Sequence, residues 1–133
     1  MLVLGVDPGT YKTGIGFVSS TNGDMTMTHS DVLSPPRSAS LPDRLAWIHD
    51  RMIQIIDEIK PTVVAIERPF VSRNVKAAMA VGQAQAVAMI AASHCSIPVV
   101  NYSPREVKKA VTDHGGSSKE QVQAMVGVLL GIS

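Results

Sequence analysis

Two carboxylates close two of the most apolar stretches of the chain: Asp7 ends LVLGVD and Glu67 ends VVAIE. In an open α/β sheet, reactive crevices lie beyond the carboxyl ends of the strands. If these two strands are parallel neighbours, the acids converge, held by backbone rather than by long side chains. Such a pair repels itself unless a cation lies between. An all-oxygen donor set suits Mg²⁺, with Mn²⁺ as a substitute, and not zinc. Either acid alone could simply end a strand in solvent; the matched contexts argue for a shared site.

The surroundings of each acid add chemistry. After Asp7 the turn Pro8-Gly9-Thr10 leads into Gly14-Ile-Gly16, where glycines allow close backbone approach by a phosphate. That turn alone does not choose between a nucleotide phosphate and a nucleic-acid backbone. After Glu67, the stretch RPFVSRNVK carries Arg68, Arg73 and Lys76 with no acid, around Phe70. Cations for phosphates and a projecting ring for bases suit a nucleic-acid contact, with Asn74 among the candidates. The plainer reading is a solvated basic loop with Phe70 tucked into the core. His114 could assist a phosphate or a proton, although a loop histidine in solvent explains it as well. His29, His49 and His94 are too scattered for a ligand set.

The elements that position these residues follow from periodicity. Val3–Val6 is expected as a buried strand, Gly14–Val18 as its antiparallel neighbour, and Met25–Leu33 as a third strand after an Asn22-Gly23 hairpin. Leu41, Leu45, Ile48, Met52, Ile55, Ile56 and Ile59 mark an amphipathic helix that Lys60-Pro61 stops. Thr62–Ile66 is expected as a strand, residues 74–93 as a long Ala-rich helix, and Pro98–Tyr102 as a fifth strand. Ala77, Ala80, Ala84, Ala88 and Ala91 give that helix a small-residue face, open to close packing by another helix or by the sheet. Ser103-Pro104-Arg105-Glu106 reads as a capping box, and two more helices complete the order. A meander followed by strand–helix alternation implies a mixed sheet flanked by helices.

Composition sets the outer bounds. The chain has 133 residues, 45% apolar and 17% charged, as befits one globular domain over 1–133. A net charge of +1 means that nucleic-acid binding must rest on where charges sit. A single cysteine, Cys95, excludes an internal disulfide and a thiolate zinc cluster. No basic-plus-apolar leader precedes the first strand, and no apolar run approaches the roughly 18 residues that span a bilayer. The expectation is a cytoplasmic protein with no membrane association.

Three stretches, GVDPGTYKTGIGFV, VVAIERPFVSRNVKAAMAVGQAQAVA and YSPREVKKAVTDHGGSSKEQVQAMVGVLL, together resemble the RuvC family of Holliday junction resolvases. The likeness is nearly colinear from Val3 to Leu130, and its specificity lies in that conjunction. It implies the RNase H-like fold of the retroviral-integrase superfamily: α/β, a five-stranded mixed sheet flanked by helices. It also implies an endonuclease that resolves four-way junction DNA by metal-dependent phosphodiester hydrolysis. Asp7 and Glu67 match the first two metal-binding catalytic carboxylates of that family. Phe70 matches an aromatic that reaches into the junction, and Lys108 and Lys119 match basic residues close to the scissile phosphate. Lys109 joins Arg68, Arg73, Asn74 and Lys76 as a nucleic-acid contact. The helix 74–93 matches the one that forms a two-fold homodimer, and RuvA and RuvB are the implied partners.

The resemblance also implies two further carboxylates in an Asp-x-x-Asp-Ala motif on one more helix. Residues 1–133 hold no such motif. The expectation is therefore a fold with that final helix missing, with a catalytically impaired or inactive junction-binding form as the alternative. A phosphotransferase of the sugar-kinase/actin type shares the opening turn. It would need a second Gly-rich phosphate loop with an acid, and residues 62–133 contain none.

Overall fold

Side chains alternate along β1 (Leu2–Asp7): Leu4 and Val6 are buried, Gly5 is half-buried and Asp7 is exposed. This one strand sets which way the sheet faces. The computed structural model describes residues 2–21, 24–67 and 74–102, by backbone alone at 20–21, 24–27, 67 and 102. β2 (Thr13–Thr21) and β3 (Asp24–Leu33) form an antiparallel meander with β1, with an irregularity at Phe17/Val18. β4 (Val63–Glu67) and β5 (Val99–Tyr102) extend the sheet on the other side of β1 in parallel. The result is a five-stranded mixed sheet in the order β3-β2-β1-β4-β5.

Two helices cover one face. α1 (Leu41–Ile59) starts where the Ser40 hydroxyl accepts from the Asp43 backbone N–H at 3.3 Å, with Pro42 in its first turn. It ends where Lys60 turns left-handed at φ 57° and donates its N–H to the Ile56 carbonyl at 2.7 Å. Ile48, Met52, Ile55 and Ile56 on α1 pack with Leu4, Val6, Ile15, Phe17, Leu33, Val64 and Ile66 of the sheet into one core.

α2 (Val75–His94) joins that core through Ala88, Ala91 and Ala92, and Ala84 is buried with them. From Ala84 onward its small-residue face therefore packs within the chain, largely against α1, while Ala77 is exposed and Ala80 half-buried. The large apolar side chains that α2 leaves in solvent are Val75, Met79 and Ile90. Spacings of 4 and 11 residues place all three on one stripe. By length and composition α2 is also apolar enough to cross a membrane, contrary to the sequence expectation that no run comes close. Its many alanines produce that reading, and several of them are core residues here. The expected helices after Tyr102 and the Asn22-Gly23 turn lie outside the described residues.

Candidate active site at the carboxyl ends of β1 and β4

β1 and β4 are parallel neighbours, as the convergence of their acids requires. Their register pairs Val3 with Val63 and runs in step to Val6 with Ile66. Asp7 and Glu67 thus hold the next register position on adjacent strands, one residue beyond a buried apolar pair. Strand alternation puts Asp7 on the face opposite that core. Adjacent parallel strands lie about 4.8 Å apart, so backbone alone brings these two positions within reach of one small cation.

Glycines keep the space beside Asp7 open. Its partner on β2 is Gly14, where an added Cβ would lie 3.7 Å from the Asp7 Cβ. Gly5 pairs with Gly16 one step further in, and Ala65 lies beside Gly5 on β4. Among the described residues, no side chain hydrogen-bonds or ion-pairs with Asp7. An exposed, unpaired carboxylate at the end of a buried strand supplies hard oxygen donors without any role in packing. That donor chemistry fits Mg²⁺ or Mn²⁺. Among the described residues no group of three His, Cys, Asp or Glu side chains is arranged to hold a metal.

The turn after Asp7 is built as a fixed support. The Thr13 hydroxyl accepts from the Gly9 N–H at 3.2 Å and donates to the Gly9 carbonyl at 2.8 Å. A Cβ at Gly9 would collide with the Lys12 carbonyl oxygen, so only glycine fits there. Arg44, at 8% exposure, reaches across from α1. It donates Nε to the Thr10 carbonyl at 3.2 Å and Nη1 to the Ala39 carbonyl at 2.7 Å. This guanidinium ties the β1–β2 turn to the loop before α1. Motif and spacing do not single it out, although a clue is present. Arg44 lies four residues before Ile48, on the stripe that α1 buries, and a charge at such a position needs a dedicated partner.

Two candidate nucleic-acid residues fall within the described part. Asn74 is the N-cap of α2, its Oδ1 accepting from the Ala77 N–H at 3.0 Å. Lys76 is exposed in the first turn, where a cation opposes the helix dipole and gains nothing for folding. Arg68, Phe70, Arg73, Lys108, Lys109, Lys119 and His114 lie outside the described residues, as does the Glu67 side chain. His49 contacts Asp50 at 3.3 Å and the His94 ring at 5.7 Å, at the α1–α2 contact and not on β1.

The chain is similar to known proteins along its whole length. The family model described as crossover junction endodeoxyribonuclease RuvC matches residues 3–133. The RuvC of Dehalococcoides mccartyi is 43% identical over 133 residues, spanning all of this chain and 80% of that protein. A Thermus thermophilus RuvC structure matches at TM-score 0.89 and 32% identity, covering 100% of this chain and 82% of that one. The T. thermophilus RuvC in complex with Holliday junction substrate matches at TM-score 0.90 and 32% identity, over 100% and 81% respectively.

Proposed function

The chain belongs to the RuvC family of crossover junction endodeoxyribonucleases, and from that premise we propose that it cuts four-way junction DNA by metal-dependent hydrolysis at Asp7 and Glu67. The observation that carries this reading is the shared register position of the two acids on parallel neighbouring strands. Mg²⁺, or Mn²⁺ in its place, would neutralise phosphate charge and activate a water. Asp7 and Glu67 would hold the cation, and the rigid Gly9–Thr13 turn keeps the Asp7 backbone in place. Water attacks phosphorus and the bond to the 3′ oxygen breaks, leaving a 5′-phosphate and a 3′-hydroxyl. Lys108 and Lys119 would offset the charge that develops on the phosphate. Phe70, with Arg68, Arg73, Asn74, Lys76 and Lys109, would hold the DNA.

A four-way junction has approximate two-fold symmetry, so a two-fold dimer presents two sites to opposed strands. The exposed stripe Val75, Met79 and Ile90 supports a homodimer through helix 74–93, on a different side from the alanines that enter the core. RuvA and RuvB as partners, and a cytoplasmic location, belong to the same reading. A labelled four-way junction and a linear duplex of the same sequence, incubated with the chain in Mg²⁺, test it. Paired nicks in the junction alone are expected; equal cutting of both would sink it. Within residues 1–133 the strand ends supply only two of the acids such a site uses. The alternative reading is a chain that binds junctions with little or no cutting, and a gel-shift assay on the same DNA would show it as a shifted but intact junction.

A further inference from the structure

β1 lies between β4 and β2, so Asp7 has two flanks. Glu67 ends the strand on one of them. On the other flank, the β1–β2 turn and α1 with the loop before it bring Tyr11, Arg37 and Arg44 together, with Lys12 next in sequence, and the proposed mechanism uses none of them. Tyr11 is 46% exposed beside the Asp7 turn, its ring contacted by the Arg44 guanidinium at 4.2 Å and the Arg37 guanidinium at 5.2 Å. Lys12 is exposed next to it. Among the described residues none of Lys12, Arg37 and Arg44 forms an ion pair with a carboxylate, and the Arg44 hydrogen bonds end on neutral carbonyls.

Two guanidinium groups on one exposed ring, with Lys12 next in sequence and no carboxylate ion-paired to them among the described residues, leave positive charge that a polyanion would relieve. Core packing does not call for them, since Tyr11, Lys12 and Arg37 all lie at the surface. A ring steadied by guanidinium groups is a rigid amphipathic platform of the kind that nucleic-acid strands stack on or slide along. The buried Arg44 fixes that platform to the same turn that follows Asp7. We propose that Tyr11, Lys12 and Arg37, backed by Arg44, form a phosphodiester-strand contact on the β2–β3 side of Asp7. A strand held on this side would lie beside Asp7 with its phosphates led toward the carboxyl ends of β1 and β4.

This inference rests on the junction-endonuclease reading. Its test is binding of a fluorescent four-way junction by the full chain in Ca²⁺, across a range of salt concentrations. Removing one cation that neutralises a phosphate lowers the slope of log K against log salt by about one. Arg37→Gln should therefore reduce the slope by about one, and Arg37→Gln with Lys12→Gln by about two. Arg37→Lys, which keeps the charge, should keep the slope. Tyr11→Ala should weaken binding about tenfold and Tyr11→Phe much less, as expected for a stacking ring. Thermal unfolding of each variant identifies any weakening that comes from the fold. A double variant with unchanged slope and affinity overturns the inference while leaving the functional reading intact. Failure of the unsubstituted chain to bind a junction overturns both.

Discussion

Along β1, Leu4 and Val6 enter a core that excludes water almost completely, while Gly5 and Asp7 lie on the other face among Gly14, Gly16 and Ala65. The first face carries large branched and aromatic side chains from four strands and closes against two helices. The second carries glycines and an alanine around Asp7, an acid with no partner among the described residues. Stability resides on the first face and room for chemistry on the second. The backbone between them transmits rigidity, because a strand fully packed on one side cannot move its other side freely.

That contrast can be broken from either face. Chelation with EDTA should strike the open face alone. Junction cutting should fall more than about 100-fold, since even outer partners of metal ligands are worth that much, and should return with Mg²⁺ or Mn²⁺. The unfolding transition should barely move, and a large shift would mean that a metal holds the fold together. On the packed face, Phe17 is 0% exposed, and Phe17→Ala should cost about 3–5 kcal/mol by urea denaturation. A cost below about 1 kcal/mol would contradict the packing of β2 against the helices.

A smaller effect separates two glycines near Asp7. Gly9→Ala must displace the Lys12 carbonyl and should cost about 1–3 kcal/mol. Gly14→Ala meets only ordinary contact at 3.7 Å and should change stability by less than about 0.5 kcal/mol. Equal costs at both positions would remove the distinction between a fixed turn and an open face.

Much of the packed face is legible in the sequence alone. α1 runs from Leu41 to Ile59 as its stripe and the Lys60-Pro61 stop require. The expected strand at 14–18 is longer, Thr13–Thr21, because residues 19–21 are held by pairing with β3 and not by any apolar pattern of their own. The alanine face of α2 shows the limit of periodicity. It identifies which positions share a side, not which neighbour takes that side, and the core took Ala84, Ala88 and Ala91 while Ala77 stayed exposed.

On the open face, Asp7 and Glu67 stand out because acids rarely end such apolar strands. Tyr11 and Arg44 do not, since their contact joins residues more than thirty positions apart. No local pattern announces the meeting of the 8–12 turn with the loop before α1.

On the proposed function, Asp7 serves chemistry and not the fold. Asp7→Asn, followed in parallel by urea unfolding, junction binding and junction cutting in Mg²⁺, tests it most directly. Unfolding is expected within about 0.5 kcal/mol of the unsubstituted chain, with binding largely kept and cutting abolished. Cutting that survives, or binding that disappears together with stability, would contradict it.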